Sequence, residues 1–137
     1  MKLRHMRGAR CVLTAIIGVT IAAAAAIAEP SDLASLASDP QSFLGEDVEV
    51  TGYCVKGGVK GDVLGYECKT DGTIYVNATV IEPASAKEKL DGCKGDKPDA
   101  GCRATIRFVP HSVSTSNVLE PDKTITIFNT KKAALSF

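Results

Sequence analysis

A five-stranded Greek-key β-barrel with short helices, braced by two disulfides, is the fold class this sequence predicts. Three observations predict it. Five segments between residues 48 and 129 alternate apolar and polar side chains with the period of two that marks a strand with one buried face. A single helical patch, around residues 85–92, falls between the third and fourth of these segments. Four cysteines, Cys54, Cys68, Cys93 and Cys102, sit at spacings that allow two short bridges.

The chain opens with Lys2, Arg4, Arg7 and Arg10, followed by an uncharged apolar run over 12–26 and a small-x-small triplet, Ala26-Ile27-Ala28. This is the pattern of a secretory signal peptide, and residues 1–28 are read as one. The rival reading is an uncleaved anchor, since the run approaches the ~17–25 residues that span a bilayer. Its alanine-rich character and terminal processing triplet favour cleavage. Cys11 precedes the apolar run, so it leaves with the signal and is no lipid-attachment site. The expected mature chain of 109 residues is enough for one small domain, with a helical lid over 29–45 and the barrel over 46–137. It carries sixteen acidic against twelve basic residues, a net charge of −4. Nucleic-acid binding rests on clustered phosphate-neutralising cations, so this balance argues against it.

In order along the chain, Leu33, Ala34, Leu36 and Ala37 form a weak helical stripe with Ser31 or Asp32 as N-cap. Asp39 is placed to cap a second turn with Pro40 at its first position, and Gly45 closes it. Phe43 and Leu44 are expected to plug one end of the core. In the first strand Val48, Val50, Gly52 and Cys54 face inward and Asp47, Glu49, Thr51 and Tyr53 outward. Leu64, Tyr66 and Cys68 continue the inward set on the second strand, and the glycine-rich run 57–62, centred on Gly61, makes the hairpin that sets Cys54 opposite Cys68.

Asp71-Gly72 then turns the chain into a third strand, 73–81, with Ile74, Val76, Ala78 and Val80 on one face. Ser85 and Glu88 form a capping-box pair for a helix whose Ala86 and Leu90 share a face. Cys93 lies past its end, and a charged loop returns to Cys102, Ala104, Ile106 and Phe108 on a fourth strand stopped by Pro110. A polar run, 111–116, and a turn at 120–122 lead to a fifth strand, 124–129, with Ile125 and Ile127 inward; 131–137 is expected to fray.

Three strands, a short helix, then two strands is the element order of an OB-fold. A small β-sandwich or an α+β sheet is the alternative. The approach Asp39-Pro40-Gln41-Ser42-Phe43-Leu44-Gly45, followed by Val48-Glu49-Val50-Thr51-Gly52, resembles the opening of small exported bacterial OB-fold families. That resemblance covers about fifteen residues. It implies the fold and a periplasmic setting, and it transfers no catalytic residues.

Gly58, Gly61 and Gly65 lack the G-K-[ST] of a phosphate loop and read as a hairpin. There is no C-x-x-C pair, and His111 is the one histidine outside the signal, so no metal or cofactor is expected. Asp91, Asp96 and Asp99 do not follow EF-hand spacing. Asn77-Ala78-Thr79 matches a glycosylation acceptor but falls within a strand. His111 with Ser112 and Ser114 has the residue types of a hydrolase without its motif, so a hydrolase using His111 is a minor alternative. Outward Asp47 and Glu49 are expected to pair with Arg103 and Arg107 across strands.

What remains is binding. Seven aromatic residues and no Trp supply little for a large stacking groove. An OB barrel binds through its second and third strands and the loops joining strands one to two and four to five. Here that face holds Lys56, Lys60, Glu67, Lys69, Tyr75, Asn77 and His111. The lysines are expected to steer an anionic ligand, with Tyr75 as a stacking face and Asn77 as hydrogen-bonding group. The expected role is a non-catalytic, periplasmic or secreted module that binds a peptide, a glycan or a partner protein of the envelope. A structural or inhibitor role is the alternative. N-terminal analysis of the protein from its own cell is expected to find Glu29 first; an intact Met1 in the membrane fraction would overturn the signal-peptide reading.

Overall fold

The computed structural model describes residues 30–58, 63–95, 97–117, 120 and 122–137. The signal peptide with its cleavage point, Lys60, the turn at Gly61, Asp96 and Pro121 lie outside the described residues. Helix α1 is Leu33–Ser38, followed by a 3-10 turn at Pro40–Phe43. The strands are β1 (Val48–Lys56), β2 (Tyr66–Thr70), β3 (Ile74–Glu82), β4 (Arg103–Phe108), β5 (Ser112–Ser116) and β6 (Ile125–Ser136), with helix α2 (Ala84–Leu90) between β3 and β4.

Antiparallel pairs run β3-β2-β1-β4-β6-β5, and β3 also pairs with β6 in parallel. That last pairing closes β1, β2, β3, β6 and β4 into the expected five-stranded OB-like barrel. Strand β5 is an addition, formed by the run read from sequence as polar and irregular. Both β4 and β5 run antiparallel to β6, β5 against Ile125–Asn129 and β4 against Ala133–Ser136. They are two halves of one long strand interrupted at Pro110, which has no N–H to give a ladder. The expected fraying of 131–137 does not occur, because β4 and β3 hold the two sides of that half of β6.

The inward set of β1 is as the alternation predicts: Val48, Val50 and Cys54 are buried, and so is Gly52. Cys54 stands opposite Cys68 in the β1–β2 register and is bonded to it; Cys93 is bonded to Cys102, tying the end of α2 to the start of β4. Loops of this length stabilise a domain by roughly 2–3 kcal/mol each in the chain-entropy account.

Three inward assignments change. Leu64 is 98% exposed, because it lies in the loop before β2 rather than in the strand. On β3, Ile74, Val76 and Ala78 are buried, but the phase then shifts so that Ile81 is buried and Val80 is 49% exposed. Strand β6 shifts at the same place, from Phe128 and Thr130 to Ala133 and Leu135. The offset between the two strands stays constant from Ile74↔Thr126 to Glu82↔Ala134, so neither has gained a residue; both coil together where the barrel turns. Thr130 Oγ1 bonds the carbonyls of Val109 and Lys132, both at 3.0 Å, at that corner. Ile125 is inward as expected, whereas Ile127 is half-buried on the outer side.

The lid also differs in detail. Leu36, not Phe43 or Leu44, is the residue fully buried in the core; Phe43 packs partly against it and Leu44 is half-buried. Burying Leu36 contributes about 2–3 kcal/mol. Asp32 caps α1, its carboxylate accepting from the N–H of Ala34 and Ser35 and from Ser35 Oγ; these bonds hold its pKa below the ordinary value. Asp39 makes no side-chain cap; its carbonyl instead accepts from Ser42 N–H and Oγ.

The expected Ser85–Glu88 capping box is not formed, because Pro83 occupies the N-cap and its carbonyl accepts from Ala86 and Lys87. Outside the barrel Arg107 Nε lies 3.7 Å from Asp47, as expected. Arg103 instead forks onto Asp71 of the β2–β3 turn, which lowers the Asp71 pKa through that hydrogen bond. Both side chains are well exposed, so the pair adds little stability.

Gly52 is fixed by contact rather than by backbone angle. A Cβ there would lie 2.2 Å from the Lys69 carbonyl oxygen of β2, and the obstructing atom is backbone. Gly52→Ala is therefore expected to destabilise the barrel by about 2–3 kcal/mol, beyond any propensity effect. Denaturant titration checks this; an unchanged midpoint would show that β1 and β2 can part locally.

Candidate functional site

The registers of β2, β3, β6 and β5 set outward residues in two rows across the barrel. One row runs Lys69, Tyr75, Ile127, Ser114, and the next runs Glu67, Asn77, Asn129, Ser112. Four of the seven residues expected to bind ligand stand in these rows, and the two rows have different fates.

The first row is largely self-satisfied. Tyr75 is only 4% exposed, so its ring offers no stacking face to a ligand, contrary to expectation. Burial pushes the Tyr75 phenol up, although hydrogen bonding to the Lys69 ammonium works against this. Lys69 lies over the Tyr75 ring at 5.7 Å and within 3.4 Å of Glu120, which belongs to the β5–β6 connection. Partial burial pulls the Lys69 pKa down, but Tyr75 and the nearby acid outweigh it and the net direction is upward. This lysine is engaged inside the protein rather than poised for an anion.

The second row borders a cavity of about 300 Å³. Asn77 and Thr79 of β3, Asn129 of β6, His111 and Ser112 of the β4–β6 connection, and Val63 and Leu64 of the β1–β2 loop line it. Gly65 allows that loop to lie close over β3: its φ is +106°, and a Cβ would sit 2.5 Å from the Ala78 carbonyl oxygen. Asn129 Nδ2 donates to Ser112 Oγ at 3.1 Å. Asn77 Oδ1 is shut off from solvent and has no hydrogen-bond partner. An unmatched buried acceptor is costly, on the order of 1–3 kcal/mol.

Of the remaining expected residues, Glu67 is buried beside Asn77, with its Cβ near Gly58 of the loop above. Lys56 is exposed at the end of β1, opposite Tyr66, and does not line the cavity. His111 is exposed at the rim, its N–H held by the Asn129 carbonyl at 2.9 Å. The structure therefore joins Asn77 and His111 and separates them from Lys56.

Ser112, Asn129, Thr79 and Leu64 are contributors that sequence reasoning missed. Asn129 shares the parity of Ile127 and lies two residues beyond it. Knowing that β3 and β6 pair in parallel would have placed it next to Asn77.

A second cavity, of about 350 Å³, lies between the Arg107–Asp47 and Lys132–Glu82 pairs and is lined by Phe108, Val109 and Ala134. Its charges are largely spent on one another. Among the described residues no three His, Cys, Asp or Glu side chains are grouped to hold a metal ion. No helix among them is long and apolar enough to cross a membrane. Comparison of the chain with protein-family models, with curated proteins and with solved structures finds no match.

The Lys69–Tyr75 pair has a consequence at alkaline pH. Both groups have raised pKa values in the fold, so their contribution is complete below the unfolded values, about 10. It is lost as pH rises through the folded values. Thermal melts between neutrality and pH ~11 are expected to show a falling limb that Tyr75→Phe makes shallower. An identical limb in the variant would show that this pair is not its source.

Proposed function

We propose that the protein is an exported, non-catalytic binding module of the cell envelope, and that its ligand occupies the cavity between the β1–β2 loop, β3 and the β4–β6 connection. The observation that carries this reading is a cavity lined by Asn77, Thr79, His111, Ser112 and Asn129 and lying where OB barrels bind. Export is supported by two disulfides in a domain this small, since such bonds persist in oxidising compartments. A binding role is supported by the side chains present. Amides, hydroxyls and one imidazole are groups that orient a ligand by hydrogen bonds.

A structural or inhibitor role through another face is the second reading. It is favoured by Val109, 46% exposed, on the larger cavity between the two ion pairs.

The test is a titration of isotope-labelled protein with fractionated envelope extract, followed by backbone and side-chain amide resonances. The expected result is a fraction that moves the resonances of Asn77, Ser112 and Asn129, and that no longer does so when the exposed lining residue is filled by Thr79→Trp. Shifts confined to Arg107, Val109 and Lys132 would favour the second reading. Shifts at the cavity that persist in Thr79→Trp would show that the ligand does not enter it.

A further inference from the structure

The outer edge of β5 is where the fold leaves a strand half used. Each of the five barrel strands has a neighbour on both sides, whereas β5, among the described residues, pairs with β6 alone. An edge of this kind carries backbone N–H and C=O groups ready to pair with another chain, and soluble proteins ordinarily blunt it with charged side chains, lysine above all, or with proline. Here the reverse holds. Each of the other described strands carries a charged side chain, from the single Glu82 of β3 to Arg103 and Arg107 of β4, but Ser112-Val113-Ser114-Thr115-Ser116 has neither charge nor proline. The centre of the strand is open, with Ser114 and Thr115 both exposed.

We infer that β5 is a self-association edge: two copies of the chain join through it, antiparallel about a twofold axis at Ser114, so that the sheet runs from one copy into the other. The strand's own sequence selects this occupant. A twofold contact sets each residue opposite a residue of the same strand. Centred on Ser114, it opposes Ser112 to Ser116, Val113 to Thr115 and Ser114 to itself. Hydroxyl meets hydroxyl, a β-branched residue meets a β-branched residue, and no charge meets its like. A strand from a different protein is ordinarily held in register by complementary charges. Since β5 offers none, the near-palindrome of its residues is what sets the register.

The twofold axis stands perpendicular to the sheet, so the cavities beside Ser112 in the two copies open on one face. Four residues along the strand and one strand across separate the two Ser112 residues, about 14 Å. A ladder of five residues is a small contact, of the class below ~1,200 Å² in which association is weak, so the dimer is expected at about 0.1–1 mM.

The experiment is sedimentation velocity of the processed protein across about 10 μM to 1 mM. The chain is expected to pass from monomer to dimer over this range. Ser114→Lys and Ser114→Glu each set two like charges face to face on the axis, and each is expected to raise the dissociation constant about fivefold. An equimolar mixture of the two variants opposes Lys to Glu and is expected to recover the original affinity or better. Ser114 is exposed, so neither change enters the core, and recovery in the mixture shows that both variants are folded.

A chain that stays monomeric at the highest concentration overturns the inference, and so does a dimer indifferent to charge at position 114. A mixture no stronger than its separate components overturns it as well. Protection of the β5 amides from exchange by an envelope fraction, with the chain alone monomeric, would assign this edge to a strand of another protein instead.

Discussion

The parallel pairing of β3 with β6 is the constraint on which the rest of this structure depends. Every other strand pair is antiparallel, and β1–β2, β2–β3 and β5–β6 are hairpins between neighbours in the chain. Only β3–β6 joins residues fifty-two positions apart in sequence with both strands running the same way. It closes β3, β2, β1, β4 and β6 into a barrel and pairs the edges that β3 and β6 would otherwise expose, leaving β5 as the edge strand. Such a contact has to be made against the entropy of closing a long loop. The Cys54–Cys68 and Cys93–Cys102 bonds stiffen segments on either side of it, and the second of them spans part of the connecting chain.

The same pairing builds the cavity. It brings Asn77 level with Asn129 and Tyr75 level with Ile127, so one register decides both rows. In the row of Tyr75, Lys69 is held against Tyr75 and Glu120. The polar row is left with one acceptor that the protein itself does not satisfy. Local satisfaction in one row and local deficit in the next is what confines the candidate site to half of the face on which an OB barrel binds.

Charge behaves differently here from what composition suggests. The acidic excess of the chain coexists with four cations held in ion pairs: Arg103 on Asp71, Arg107 near Asp47, Lys132 on Glu82 and Lys69 on Glu120. Exposed pairs of this kind add little stability, but they neutralise the surface locally. Lys69, a steering charge by the sequence reading, is thereby drawn into a local pair.

What the amino-acid sequence determined by itself was local: the alternation that makes β1 and β4, the order of strands around α2, and the opposition of Cys54 and Cys68 across a hairpin. These follow from the two-residue period and from turn chemistry, which act between near neighbours. Tertiary structure decided what depends on distant pairing. The run after Pro110 became β5 because β6 was there to receive it. The phase of β3 and β6 shifted together at a barrel corner, exposing Val80 and burying Ile81. Tyr75, outward by parity, was covered, so outward did not mean accessible. Asn129 joined Asn77 only because two strands far apart in the chain lie side by side, and a period of two carries no information about which strand its neighbour will be.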